Sequence, residues 1–176
     1  MAKYSVHPAQ LSEVEAIARI KADYVRSTYR GFLSPAYLRQ IGDDYYIPQI
    51  RDWLSGGLYS VDVLDVDGKP TGFIVYGVDP GAHGCGLIYE QAIDPVCSMP
   101  EKNTMVHWAL DHLEGMGLRE IHIWALRDNF RLRFLYETLG FRADGRVRES
   151  HLEDMELRLA RYTYIIPEKA SNQPAE

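Results

Sequence analysis

The stretch IWALRDNFRLRFLYETLGF, residues 123–141, sets the architecture. It opens inside an apolar, β-prone run, Ile121 to Leu126, after which Asp128 or Asn129 offers a short side-chain oxygen to cap a helix start. Leu132, Leu135, Tyr136 and Leu139 follow at i, i+3, i+4 and i+7, one face of an amphipathic helix that Gly140 ends. Phe141 to Val147 reads as a further strand.

Toward the N-terminus the same logic recurs. Met105, Val106, Ala109, Leu110 and Leu113 keep helical spacing up to Gly115 and Gly117, and before them Leu87 to Ile93 is an apolar strand closed by Asp94-Pro95. Leu58–Val66 and Thr71–Val78 alternate around Asp67-Gly68, a tight-turn signal, and read as a hairpin. A short alternating start at Tyr4 and Val6 precedes Ser12 and Glu15, which form a capping-box pattern for a helix over residues 12–29. A second helical stretch, rich in tyrosine, runs from Tyr37 to Gly56-Gly57, and Met155 to Ile165 reads as the closing strand. A hairpin followed by β-α units predicts an α/β chain of mixed α+β type, a mixed sheet with helices on both faces.

The chain of 176 residues suits one domain, read as residues 1–166, with 167–176 too polar to order. No apolar run is long enough to span a bilayer, and MAKYSVHPAQ lacks the pattern of a secretory leader, so no membrane and a cytoplasmic location are the expectations. A net charge of −6 disfavours a nucleic-acid partner and suits a cationic acceptor such as a protonated amine. Cys85 and Cys97 lack CxxC spacing and the six histidines lack an HxxxH pair, so no metal is expected. Hydrolase elbows of the GxSxG kind and phosphate-binding GxxxxGK[ST] loops are missing from the sequence.

The spacing Asn129, Tyr136-Glu137, Gly140-Phe141, set directly after a strand, resembles the N-x-x-A-x-x-F-Y-E-x-x-G-F pattern of the GNAT superfamily of N-acetyltransferases. YVRSTYRGFLSPAYLRQI, residues 24–41, is similar to the first helices of such enzymes, so the resemblance spans nearly the whole chain. It departs at Leu132 and Leu135, which replace an alanine and a phenylalanine while staying apolar. The resemblance implies a largely antiparallel central sheet whose fourth and fifth strands splay apart, and transfer of an acetyl or other acyl group from acetyl-CoA to a primary amine of a small molecule, peptide or protein terminus. A homodimer is a further expectation from the family.

Residue by residue, the resemblance implies that Asn129 binds the pantetheine arm and that Tyr136 protonates the departing coenzyme A thiolate. A phenol is a proton donor at neutral pH, which fits that role. Backbone groups of the fourth strand, at Ala92 and Ile93, would pair with pantetheine amides as an added strand does. Tyr29, Phe32 and Tyr37 would form a wall of the acceptor site, with ordinary helix packing as their other reading. Glu90 is a carboxylate in a mostly apolar strand, and must face a cleft, a partner or water. It is the candidate general base, with a structural salt bridge to an arginine as the alternative.

One loop breaks the pattern. Val96 to Met105 reads VCSMPEKNTM, without the glycines that let a helix start hold the coenzyme A pyrophosphate, and Ser98 with Glu101 forms a capping box of its own. Ser98, Lys102, Asn103 and Thr104 are the candidate replacements. A GNAT scaffold without ordinary coenzyme A binding, acting as a ligand-binding or protein-interaction module, is the alternative this loop leaves open.

Overall fold

The computed structural model describes residues 3–94, 97, 99–152 and 155–168, with only backbone at 99–102. The elements follow as β1 (Tyr4–Pro8), α1 (Val14–Thr28), α2 (Pro35–Gln40), α3 (Ile47–Gly56), β2 (Ser60–Val66), β3 (Lys69–Val78), β4 (Gly86–Ile93), α4 (Met99–Gly115), β5 (Glu120–Leu126), α5 (Phe130–Thr138), β6 (Arg142–Leu152) and β7 (Met155–Ile165). The strands form one sheet in the order β1-β2-β3-β4-β5-β7-β6. Every neighbouring pair is antiparallel except β4 and β5, whose connection through α4 makes them parallel.

Local chemistry explains most boundaries. Ser34 caps α2 by accepting the Tyr37 N–H at 3.1 Å, with Pro35 at the first helical position where no donor is needed. Asn129 caps α5, and Gly140 leaves it at φ +95, a left-handed conformation that residues with side chains avoid. Two expectations need correction. The first helix is capped earlier than Ser12: a 3-10 turn, Leu11–Glu13, precedes α1, and the Glu13 carboxylate accepts the Gln10 N–H at 2.8 Å. The second helical stretch is two helices, because Gly42, Asp43 and Asp44 bend the chain between α2 and α3.

Two hydrophobic cores flank the sheet. On one face Ile74, Tyr76, Ile88, Ile121 and Ile123 pack beneath α4 and α5; on the other Val61, Val63, Phe73, Val75 and Ala92 pack beneath α1 and α3. A third cluster joins the end of α1 to α2 and to the β6–β7 hairpin through Val25, Leu33, Tyr37, Leu152 and Leu157.

The sheet opens at one place. β4 pairs with β5 only over Gly86–Ile88 against Ile121–Ile123, and no strand pairing joins them beyond. In β4 the register against β3 jumps from Ile88 to Glu90, leaving Tyr89 as a bulge residue, and a bulge bends its strand and re-aims its side chains. The closed end needs Gly86: a Cβ there would lie 2.7 Å from Ile121 Cδ1.

Candidate active site

The mouth of this split is a cleft of about 950 Å³, within the usual range for a small-molecule site. Gln91, Ala92 and Ile93 of β4 line one side, Asn129, Leu132 and Leu135 of α5 another, and Tyr24, Thr28 and Phe32 close it from the end of α1. Ala92 and Ile93 bond to β3 through Phe73 and Gly72, while the edge of β4 toward β5 carries no strand partner there.

Asn129 is 4% exposed, and its two side-chain ends have different fates. Its Oδ1 accepts the Leu132 N–H at 3.1 Å, completing the helix cap. Its Nδ2 is buried with no partner among the described residues. A buried amide donor left unpaired costs free energy, so a ligand carbonyl in the cleft would be a stabilising partner.

Tyr136 is 3% exposed on the inner face of α5 and does not itself form the cleft wall. Its hydroxyl oxygen accepts an N–H from Gln91 Nε2 at 3.1 Å, and Gln91 does line the cleft. Burial pushes the phenol well above its ordinary value, and neighbouring Tyr24, Tyr29 and Glu90 add to the shift. The group therefore keeps its proton across the neutral range.

Glu90 makes an ion pair, with a lysine rather than an arginine. Lys21 Nζ lies 2.7 Å from its carboxylate, donates to Gln49 Oε1 at 2.5 Å, and sits 4.4 and 4.6 Å from the ring centroids of Tyr46 and Trp53. Lys21 is 5% exposed, and burial lowers its pKa while Glu90 opposes the shift. Burial also lifts Tyr24 to about 12 and raises Tyr29 and Tyr46 strongly, with the Glu90 charge contributing in each case. Glu90 is thus ringed by neutral hydroxyls and one cation, with its side chain about a quarter exposed at 26%.

The remaining sequence candidates divide. Phe32 lines the cleft, and Tyr29 meets Tyr24 edge-on beside it, with centroids 6.1 Å apart. Tyr37 is buried in the third core cluster, edge-on to Tyr45, away from the cleft wall. Asn103 and Thr104 lie in α4 and do not line the cleft, while Ser98 and the side chain of Lys102 lie outside the described residues. Lys21 and Gln91 were not singled out from sequence. Lys21 did leave a signal, standing four residues from Ile17 and four from Val25 inside the apolar stripe of α1. Gln91 left none.

No protein-family model and no curated protein matches the chain. Solved structures do. The PaiA N-acetyltransferase of Thermoplasma acidophilum in complex with coenzyme A superposes with a TM-score of 0.69 at 14% identity, over 92% of this chain and 99% of that one. The GCN5-related N-acetyltransferase of Rhodopseudomonas palustris gives 0.73 at 14%, over 92% and 95%, and the ribosomal-protein-alanine N-acetyltransferase of Brucella melitensis 0.71 at 14%, over 92% and 99%. With seven strands, one parallel pair that splays and helices on both faces, this chain has the fold of the GNAT superfamily of N-acetyltransferases.

Proposed function

We propose that the protein transfers an acetyl group from acetyl-CoA to a primary amine by direct attack, with the thioester seated in the cleft between β4 and α5. The observation that carries this reading is the unpaired Nδ2 of Asn129, a buried donor on the cleft wall at the position the GNAT pattern assigns to the pantetheine arm. The free edge of β4 at Ala92 and Ile93 supplies further backbone partners for an extended amide chain.

In this reading Glu90 takes a proton from the incoming ammonium, and the Lys21 contact holds its carboxylate in place. The free amine attacks the thioester carbonyl, and collapse of the tetrahedral adduct breaks the carbon–sulfur bond. Tyr136 gives its proton to the departing sulfur and recovers one from the adduct nitrogen, which sheds its second proton as the amide forms; held neutral by burial, the phenol is a donor throughout the neutral range. Gln91 fixes the direction of that hydroxyl. Holding both reactants in one split makes the encounter effectively unimolecular.

The test has two parts. Acetyl-CoA should raise the melting temperature, since it binds only the native state. Thiol release with a working amine should fall by about 100-fold in kcat in Tyr136→Phe. The glycine-free loop over residues 96–105 favours a second reading, a binding module without ordinary coenzyme A affinity. No thermal shift at about millimolar acetyl-CoA would select it.

A further inference from the structure

At the vertex of the split, where Tyr89 meets Trp53 of α3 edge-on, lies a second cleft of about 770 Å³. Its floor is Tyr89 and Trp124, the first residues of β4 and β5 after their pairing ends. Its walls include Tyr59, stacked on Tyr89 with centroids 4.9 Å apart, and three arginines, Arg146, Arg148 and Arg161. Such a concentration of positive charge stands out in a chain of net charge −6.

The three guanidinium groups are not equivalent. Arg161 is buried and engaged: its Nε donates to Asp144 Oδ2 at 2.5 Å, and that carboxylate also accepts the Thr163 hydroxyl at 2.9 Å. Asp79, the acid on the cleft wall, is engaged as well, by His122 Nδ1 at 2.6 Å and the Gly81 N–H at 2.8 Å. Arg146 and Arg148 have no carboxylate within 4.0 Å among the described residues. Arg148 lies over Trp124, its Cζ 4.4 Å from the ring centroid, a cation–π contact that uses none of its N–H donors.

The backbone directs these groups there. Ala143 pairs with Tyr162 and Val147 with Ala160, so Asp144, Gly145 and Arg146 all oppose the single residue Arg161. The bulge turns at Gly145, φ +85, and brings Arg146 to the cleft beside Arg161, which itself pairs with Trp124.

Resting on the acetyl-transfer reading, we propose that this cleft receives the acceptor, and that the acceptor amine also carries an anionic group, a carboxylate or a phosphate, held by Arg146 and Arg148. Guanidinium forks bind both oxyanions through paired charge-assisted hydrogen bonds. Tyr59, Tyr89 and Trp124 take the apolar body of the molecule. Glu90 directly follows Tyr89 in β4, and in this proposal the amine end reaches past the Tyr89 floor toward its partly exposed carboxylate.

Thiol release from acetyl-CoA is measured with matched pairs: L-phenylalanine against L-phenylalaninamide, and O-phosphoethanolamine against ethanolamine. The anionic member of at least one pair should show kcat/KM about tenfold higher or more, and which pair responds separates carboxylate from phosphate. In the Arg146→Ala/Arg148→Ala double variant that ratio should fall to about one, through KM. Equal use of both members in each pair, or a ratio untouched by the double variant, overturns the proposal. Where no amine is acetylated, calorimetric titration with phenylacetate and with inorganic phosphate decides alone. Binding that weakens about tenfold in the double variant supports the anion site even as acetyl transfer fails. No heat up to about 10 mM, or equal affinity in both proteins, overturns it.

Discussion

The two halves of β4 have opposite fates. Gly86 to Ile88 zip onto β5, with Gly86 set so close to Ile121 that no side chain fits without displacing it. Glu90 to Ile93, beyond the Tyr89 bulge, leave β5: Glu90 turns to Lys21 of α1, and Gln91, Ala92 and Ile93 present a free edge to a cleft. One strand thus carries both a packed anchor and an open site. The anchor has its backbone bonds satisfied and apolar side chains inside, whereas the open half holds unpaired or mutually paired polar groups, the usual mark of a binding surface.

That contrast predicts that substitutions on the two sides separate activity from stability. The largest effect is expected at Tyr136→Phe, with kcat down about 100-fold and the urea midpoint changed by no more than one lost hydrogen bond, about 1 kcal/mol. A variant as active as the parent would remove the phenol from the chemistry.

Glu90→Gln comes next, leaving the Lys21 ammonium without its anion. The cost should be about 2 kcal/mol at neutral pH, below the loss seen for fully sealed pairs, since Glu90 is partly exposed and Lys21 keeps Gln49 and two rings. The pH dependence sharpens this. Lys21 already has a lowered pKa in the native state, so there it sheds its proton before the unfolded chain does. Stability accordingly rises with pH between the native value and the ordinary lysine value. Without the Glu90 charge the native value drops further and the window widens, so urea midpoints of the variant should climb more than those of the parent as pH approaches 10.5.

In the closed half, Gly86→Val should cost roughly 1–3 kcal/mol by overpacking against Ile121 and Leu113, with KM for acetyl-CoA unmoved. A shifted KM would mean that the vertex and the mouth of the split are mechanically coupled. The smallest effect is expected at Asn129→Asp. An aspartate still caps α5, so stability should hold, but it exchanges the Nδ2 donor for an acceptor, and acetyl-CoA affinity measured by calorimetry should fall about tenfold.

Much of the fold was legible along the chain because its signals are local. The strand-to-helix passage around Asn129, the apolar face Leu132-Tyr136-Leu139 and the turn at Asp67-Gly68 all lie within a dozen residues, where periodicity and capping decide. Misreadings fell where local signals compete. Gln10 rather than Ser12 opens the first helical turn, and the polar run Arg148 to Leu152 pairs in β6 although its alternation is weak.

The candidate site was half legible. Asn129, Tyr136 and Glu90 stand out by spacing or by being polar within apolar elements. Yet Lys21 and Glu90 lie 69 residues apart, and Gln91 and Tyr136 lie 45 apart. Patterns of two or 3.6 residues carry no information at such separations. No local pattern joins Arg146, Arg148 and Arg161; the β6 bulge and the β5–β7 register bring them around Trp124.

By itself the sequence determined which segments become strands and helices, and which of their faces are apolar, since those follow from side-chain period and backbone preference. Only the tertiary structure decided where β4 leaves β5, which cation meets Glu90 and which aromatic floor lies under the arginines, since each depends on the register between strands distant in the chain.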